Sequence, residues 1–151
     1  MNKLRTLILA ISLFIPIEIV SAGDNYLNGL EQIEISVKNQ VGQTNLFDAY
    51  LADSDKKRNR GLMHIQSLPK NKAMLFVFPS PKFASIWMKN TLISLDIIFI
   101  DQNQTIIKIH KYAKPLNLKS ISSNRRVKWV LEINGGLADE LNINAGDKII
   151  L

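Results

Sequence analysis

Three apolar runs decide the fold: Met74-Leu75-Phe76-Val77-Phe78, Ile86-Trp87-Met88, and Leu95-Asp96-Ile97-Ile98-Phe99-Ile100. Each is shorter than a stable helix and rich in branched or aromatic side chains, so each reads as a strand. The first and third are continuous enough to be covered on both faces. Pro79-Ser80-Pro81 bounds the first run and Lys89-Asn90-Thr91 the second. Asp101-Gln102-Asn103-Gln104 turns the third into a further strand over Thr105 to His110, which makes a hairpin.

Working outward, Ile33, Ile35 and Val37 alternate with Glu34, Ser36 and Lys38, the period of a strand with one buried face. A turn at Asn39 to Gln43 leads to a second alternating strand over Phe47 to Leu51. Between these strands and the apolar centre, Asp55 to Arg60 reads as a short helix that Ser54 caps and Gly61 ends. On the C-terminal side, Val127 to Ile133 is a strand broken by Asn134-Gly135-Gly136. Leu137 to Leu141 makes a turn or two of helix, and Lys148 to Leu151 closes the chain. The prediction is an α+β, mainly β domain: one compact barrel-like mixed sheet of about eight short strands with two short helices. No repeat or long linker divides residues 23–151.

The 151 residues are 46% hydrophobic and 21% charged, which excludes a disordered tail, and the absence of Cys excludes a disulfide scaffold. Met1 to Ala22 has the pattern of a cleavable secretory signal: Lys3 and Arg5, an apolar run from Leu7 to Ile17, and small residues at Ser21 and Ala22. Pro16 and Glu18 interrupt that run, which argues against a retained membrane anchor. The expectation is an exported protein, periplasmic or secreted, whose core holds it together without disulfides.

Arg60-Gly61-Leu62-Met63, the Met74 to Phe78 run, Trp87-Met88-Lys89-Asn90-Thr91, Leu95 to Asp101, Leu131-Glu132, Gly136 and Gly146-Asp147 follow one another in a specific order. In these blocks the chain from about Phe47 to Leu151 resembles the family called domain of unknown function 192. The resemblance implies a compact β-barrel-like α+β domain, frequently exported, with no agreed activity. The chain departs from the family pattern at Ala73, Ser94 and Ile65, which stand where Gly, Pro and a basic residue are usual. Loss of the basic residue at 65 would alter an anionic site built there.

Trp87-Met88-Lys89-Asn90-Thr91 puts an aromatic and a thioether directly before three polar side chains, the mixture that lines pockets. Lys89 could attract an anion, Asn90 and Thr91 could bond its oxygens, and Trp87 could stack on a flat or sugar-like ligand; an ordinary turn with a packed Trp87 accounts for the same residues. Asp96 and Glu132 each interrupt an apolar strand, so each either faces water or is buried with a partner. Pairing with Lys89 or Arg60 is one arrangement, and division of acid and base roles between the two carboxylates is another. Met63, His64, Met74, Met88 and His110 form no compact metal-binding unit, and the chain has no Gly-x-Ser-x-Gly, His-Glu-x-x-His or phosphate-binding Gly loop. No metal or cofactor is expected.

Charge is concentrated. Between Gln102 and Leu131 lie Lys108, Lys111, Lys114, Lys119, Arg125, Arg126 and Lys128 and no acidic residue, within a chain of formal charge +6. That window could face an anionic membrane or cell-wall surface, whereas nucleic acid is not the expected partner of an exported chain. The favoured reading is an exported small binding module for an anionic or polar small molecule or glycan, with a site formed by Arg60, Met63, Trp87, Lys89, Asn90, Thr91, Asp96 and Glu132. The alternatives are an envelope enzyme with Asp96 or Glu132 as general base, and a basic envelope-surface interaction protein.

Overall fold

In the computed structural model, residues 22–151 are described. The leader expected over 1–22 lies, but for Ala22, outside them. The elements are α1 (Ala22–Asn28), β1 (Gln32–Lys38), β2 (Thr44–Ala52), α2 (Asp55–Arg60), β3 (Lys72–Ile86), β4 (Leu95–Ile100), β5 (Ile106–Ala113), β6 (Ile121–Asn134), α3 (Leu137–Glu140) and β7 (Lys148–Ile150). Seven strands form one sheet in the order β5-β4-β6-β3-β2-β1-β7. The β2–β3 pair, joined through α2, is parallel and the other pairs are antiparallel. The sheet curls into a half-barrel, and a bridge between Thr105 and Lys148 brings the start of β5 to β7. Among the described residues no helix is long and apolar enough to cross a membrane.

The sheet buries both faces because alternate side chains of its central strands feed two cores. Met74, Phe76, Ile97, Phe99 and Val130 pack on one face with Leu62, Ile65 and Leu68 from the segment after α2 and with Leu27 from α1. Leu75, Ile98, Ile100, Leu131 and Ile133 pack on the other with Leu137 and Ala138 of α3 and with Ile143. All six residues of β4 are buried, as its unbroken apolar run requires between β5 and β6.

Two expectations change. Pro79-Ser80-Pro81 does not end a strand, because β3 continues to Ile86, and Ile86-Trp87-Met88 is the end of that strand and the turn after it rather than an eighth strand. The ladder explains the tolerance for proline. Val77 pairs with Trp129 and Lys82 with Val127, so four residues of β3 bulge opposite Lys128 alone. Proline lacks an N–H to give a ladder and is accommodated where the ladder is already interrupted. Lys128 Nζ donates to the Pro79 carbonyl at 2.8 Å, and Arg126 Nη1 to the Pro81 carbonyl at 3.3 Å. The other change is α1, a third short helix, whose Leu27 joins the core although its sequence carries no extended apolar period.

The helix after β2 forms as its residues dictate. Ser54 Oγ accepts from the Lys57 N–H at 3.3 Å, and the Gly61 N–H donates to the Lys57 carbonyl at 2.8 Å. Gly61 has φ 49°, and a Cβ there would lie 3.3 Å from the Phe76 ring. Glycine therefore serves two needs: it reverses the chain out of α2 and lets the turn close onto β3.

Candidate functional site

The α2 C-terminus, the turn after it, the bulged part of β3 and the start of the turn after β3 enclose a cavity of about 440 Å³. Glu132 of β6 lies in its lining, opposite Met74 on β3 and Ile97 on β4, with a residue exposure of 4%. Phe76 and Phe78 follow Met74 at alternate positions on β3, so they also project to this face and form part of the wall. Gly61, Leu62 and Met63 close one side, and Trp87 and Thr91 another.

Glu132 is the unusual group. Among the described residues its carboxyl has no hydrogen-bond or ion-pair partner. Burial without compensation disfavours the charged form and pushes its pKa from 4.5 up to about 8, a penalty on the carboxylate of roughly 5 kcal/mol. At neutral pH it is therefore mainly a carboxylic acid, able both to donate and to accept a hydrogen bond toward the cavity.

The rim is cationic. Arg58 is fixed: Nη1 donates to the Val77 carbonyl and Nη2 to Asp55, each at 2.6 Å, and its guanidinium lies 5.7 Å from the centre of the Phe78 ring. Arg60 lies 3.9 Å over the Tyr26 ring, which ties α1 to the rim, and burial raises the Tyr26 phenol pKa against the opposing charges of Arg60 and Lys57. Lys82 lies 5.5 Å from the Phe78 ring centre. Neither Arg60 nor Lys82 forms an ion pair among the described residues. Phe83 and Trp87 are 63% and 50% exposed beside them, so the mouth offers aromatic faces as well as positive charge.

Of the residues singled out from sequence, Arg60, Met63, Trp87, Thr91 and Glu132 line this cavity. Lys89 and Asn90 do not. Lys89 is exposed with Nζ 5.1 Å from the Trp87 ring centre. Asn90 adopts φ 53°, its carbonyl accepts from the His64 N–H at 2.8 Å, and its amide reaches Met63 Sδ at 4.0 Å. Asn90 thereby joins the turn after β3 to the turn after α2. Thr91 is buried and its Oγ1 donates to the Lys89 carbonyl at 3.3 Å.

Asp96 lies elsewhere. It pairs with Ile133, the residue after Glu132, so the two carboxylates project to opposite faces of the sheet. Asp96 Oδ1 accepts from the Tyr112 and Gly136 N–H groups at 2.8 and 3.0 Å, and Oδ2 from the Ala138 N–H at 2.9 Å. An acid–base division of labour between Asp96 and Glu132 is excluded by this placement, and so is pairing of Asp96 with Lys89 or Arg60 around a common ligand. Ile65 is wholly buried in the core, so the apolar residue there packs rather than facing the rim. Met74 and Met88 are core residues too.

The sequence reading missed Arg58, Phe76, Phe78, Lys82 and Phe83. The alternation Met74, Phe76, Phe78 was a usable signal, since those three share a face whatever strand lies beside them. Lys82 and Phe83 lie beyond Pro79-Ser80-Pro81, which bounds the apolar run, and carry no strand period of their own.

Comparison with known proteins agrees with the architecture. The profile of the family DUF192, described as an uncharacterized ACR, matches residues 37–151. A UPF0127 protein of Thermococcus sibiricus is 35% identical over 101 residues, which is 66% of this chain and 62% of that protein. A UPF0127 protein of Thermococcus kodakarensis is 33% identical over 101 residues, 66% of this chain and 61% of that protein. The chain thus spans about three-fifths of the length of these curated relatives. A crystal structure of a protein of unknown function from Novosphingobium aromaticivorans superposes with a TM-score of 0.80 at 34% identity, covering 83% of this chain and 89% of that one. A Sinorhizobium meliloti protein described as a candidate transcription regulator gives 0.79 at 31% identity, covering 80% of this chain and 94% of that one.

Proposed function

The chain belongs to the DUF192 family, and from that premise we propose that it is a small-molecule binding module whose ligand occupies the cavity above Glu132. The observation that carries the proposal is a carboxyl group 4% exposed, without a partner among the described residues, facing a cavity with cations at its rim. Among the described residues the Tyr26 hydroxyl is the buried side-chain oxygen left without a partner. The Glu132 oxygens instead stay open to the cavity, where a ligand hydroxyl or carbonyl can pair with them in place of solvent.

The ligand class follows from the lining. A neutral hydrogen-bonding group meets Glu132, an apolar or flat body lies against Phe76 and Phe78, and an anionic group is held at Arg60 and Lys82. A sugar acid or another compact carboxylate or phosphate ester with a hydroxyl has this layout. Trp87 and Phe83 supply stacking faces for a sugar ring at the mouth.

The test is a thermal-shift screen of sugar acids, sugar phosphates and small hydroxycarboxylates near neutral pH. Stabilisation grows with ligand concentration relative to Kd. A hit whose shift is lost in Glu132→Leu and reduced in Arg60→Ala and Lys82→Ala is the expected result. Hits unaffected by all three changes would remove the cavity from consideration.

A second reading rests on the same carboxyl. A group titrating near pH 8 inside a cavity is suited to general acid–base work, so a bound substrate could exchange a proton with Glu132. Turnover of a screening hit, abolished in Glu132→Gln with binding retained, would favour the enzyme over the binding module. The proposal also takes the protein to be exported, because of the pattern of its first 22 residues. N-terminal sequencing of protein recovered from an envelope fraction should then begin at Gly23, and an intact Met1 would contradict export by cleavage.

A further inference from the structure

We infer that the edge built from residues 87–92 and 111–119 docks the protein on an anionic lipid bilayer. Among the described residues, ten large hydrophobic side chains are exposed, and five of them belong to these two segments: Tyr112, whose hydroxyl donates to Asp139 Oδ2 at 3.0 Å, and Trp87, Leu92, Leu116 and Leu118, which supply the apolar surface. The segments are laced together: the Met88 N–H donates to the Asn117 carbonyl at 3.0 Å, and the Leu116 N–H to the Thr91 carbonyl at 3.1 Å. The Lys119 N–H donates to Asn117 Oδ1 at 2.9 Å, which fixes the far end of the loop. Every residue from 114 to 120 is exposed, with Leu116 at 58% and Leu118 at 67%. A bonded loop therefore presents its leucines to the outside, and apolar area concentrated in this way marks an interaction surface.

Positive charge surrounds the same edge. Lys108, Lys111, Lys114 and Lys119 line one open concavity of about 610 Å³, and Lys89 stands over Trp87. Only Lys111 among these five has an ion-pair partner in the described residues, Asp139. The basic window read from sequence is thereby divided: Arg126 and Lys128 serve the β3 bulge, and the lysines from 108 to 119 gather at the edge. A soluble polyanion would satisfy the lysines and leave the leucines in water. An anionic bilayer satisfies both, with phosphates for the lysines and the headgroup–acyl boundary for Leu116 and Leu118. Trp87 and Ser120 also line the first cavity, so docking here places its mouth beside the lipid surface.

The chain has no Cys, so Leu118→Cys takes a single environment-sensitive fluorophore in the otherwise intact protein, and Val41→Cys, at the 88% exposed residue of the β1–β2 turn, provides the control. Labelled full chains are mixed with vesicles of phosphatidylcholine, with or without phosphatidylglycerol, at low and high salt. The inference predicts a blue shift and intensity gain at position 118 on the anionic vesicles, lost at high salt, with no change at position 41. Lys114→Gln and Lys119→Gln should each weaken vesicle partitioning at low salt about fivefold. Equal responses at 41 and 118, or equal responses on neutral and anionic vesicles, would overturn the inference by placing adsorption elsewhere, including the apolar N-terminal run. Lysine-dependent binding to heparin, with anionic vesicles producing no shift at 118, would overturn it in favour of a soluble polyanion.

Discussion

Asp96 and Glu132 are each an acidic residue between two aliphatic residues in a buried strand, on neighbouring strands of the same sheet. On one face Asp96 receives three backbone N–H groups and holds α3 and the end of β5 in place. On the other, Glu132 meets no partner among the described residues and a cavity instead. The same local sequence thus yields a structural clasp or a poised site group, and what separates them is the end of the element that arrives opposite. Backbone donors of a turn and a helix start converge on Asp96. Aromatic side chains and an open space converge on Glu132.

The strongest way to break this contrast is to remove the clasp. Asp96→Ala would leave the Ala138 N–H unpaired in the interior and the half-buried Tyr112 and Gly136 N–H groups without their acceptor, and should lower unfolding free energy by about 3 kcal/mol, read from urea denaturation. A loss below about 1 kcal/mol would show that the carboxylate is not the fastener described.

Glu132 should respond in the opposite direction. Its folded pKa lies above its ordinary value, so between pH 4.5 and about 8 the folded state keeps a proton that the unfolded state has released. Its contribution to stability is then fully present below pH 4.5, declines as pH rises through that interval, and levels off above about pH 8. Glu132→Gln keeps the shape of the neutral acid and removes the titration. It should flatten this part of the pH–stability curve and stabilise the protein at pH 7 by up to about 3 kcal/mol. A parallel pH dependence in wild type and variant would show that Glu132 is not the titrating group.

Smaller changes locate the boundary of the site. Gly61→Ala places a methyl group against Phe76 at a positive φ and should cost about 1–2 kcal/mol in denaturation experiments while narrowing the cavity. Lys89→Ala, outside the cavity lining, should change stability by less than about 0.5 kcal/mol and leave ligand-induced thermal shifts intact.

Much of the strand pattern was legible because period and composition are local properties. β1, β2, β4 and the helix capped by Ser54 fall where alternation, apolar continuity and capping residues place them. The merger of two apolar runs into β3 was not legible, since tolerance of Pro79 and Pro81 depends on a bulge opposite Lys128 in β6, a residue distant in sequence. For the site, the turn around Arg60 to Met63, Trp87, Thr91 and Glu132 do meet. Lys89 and Asn90 share the motif of Trp87 but turn away from the cavity, because one is solvated over the indole and the other joins two loops. Asp96 was drawn into the site by its resemblance to Glu132, and only strand register shows that their side chains point to opposite faces.

The most direct test of the account is a carbon-detected NMR titration of the Glu132 side-chain carboxyl, assigned by comparison with Glu132→Gln. A midpoint near pH 8, falling or rising when a cavity ligand binds, is the predicted result. A midpoint near 4.5, unmoved by any ligand, would mean that Glu132 is an ordinary hydrated carboxylate and would remove the basis for the site.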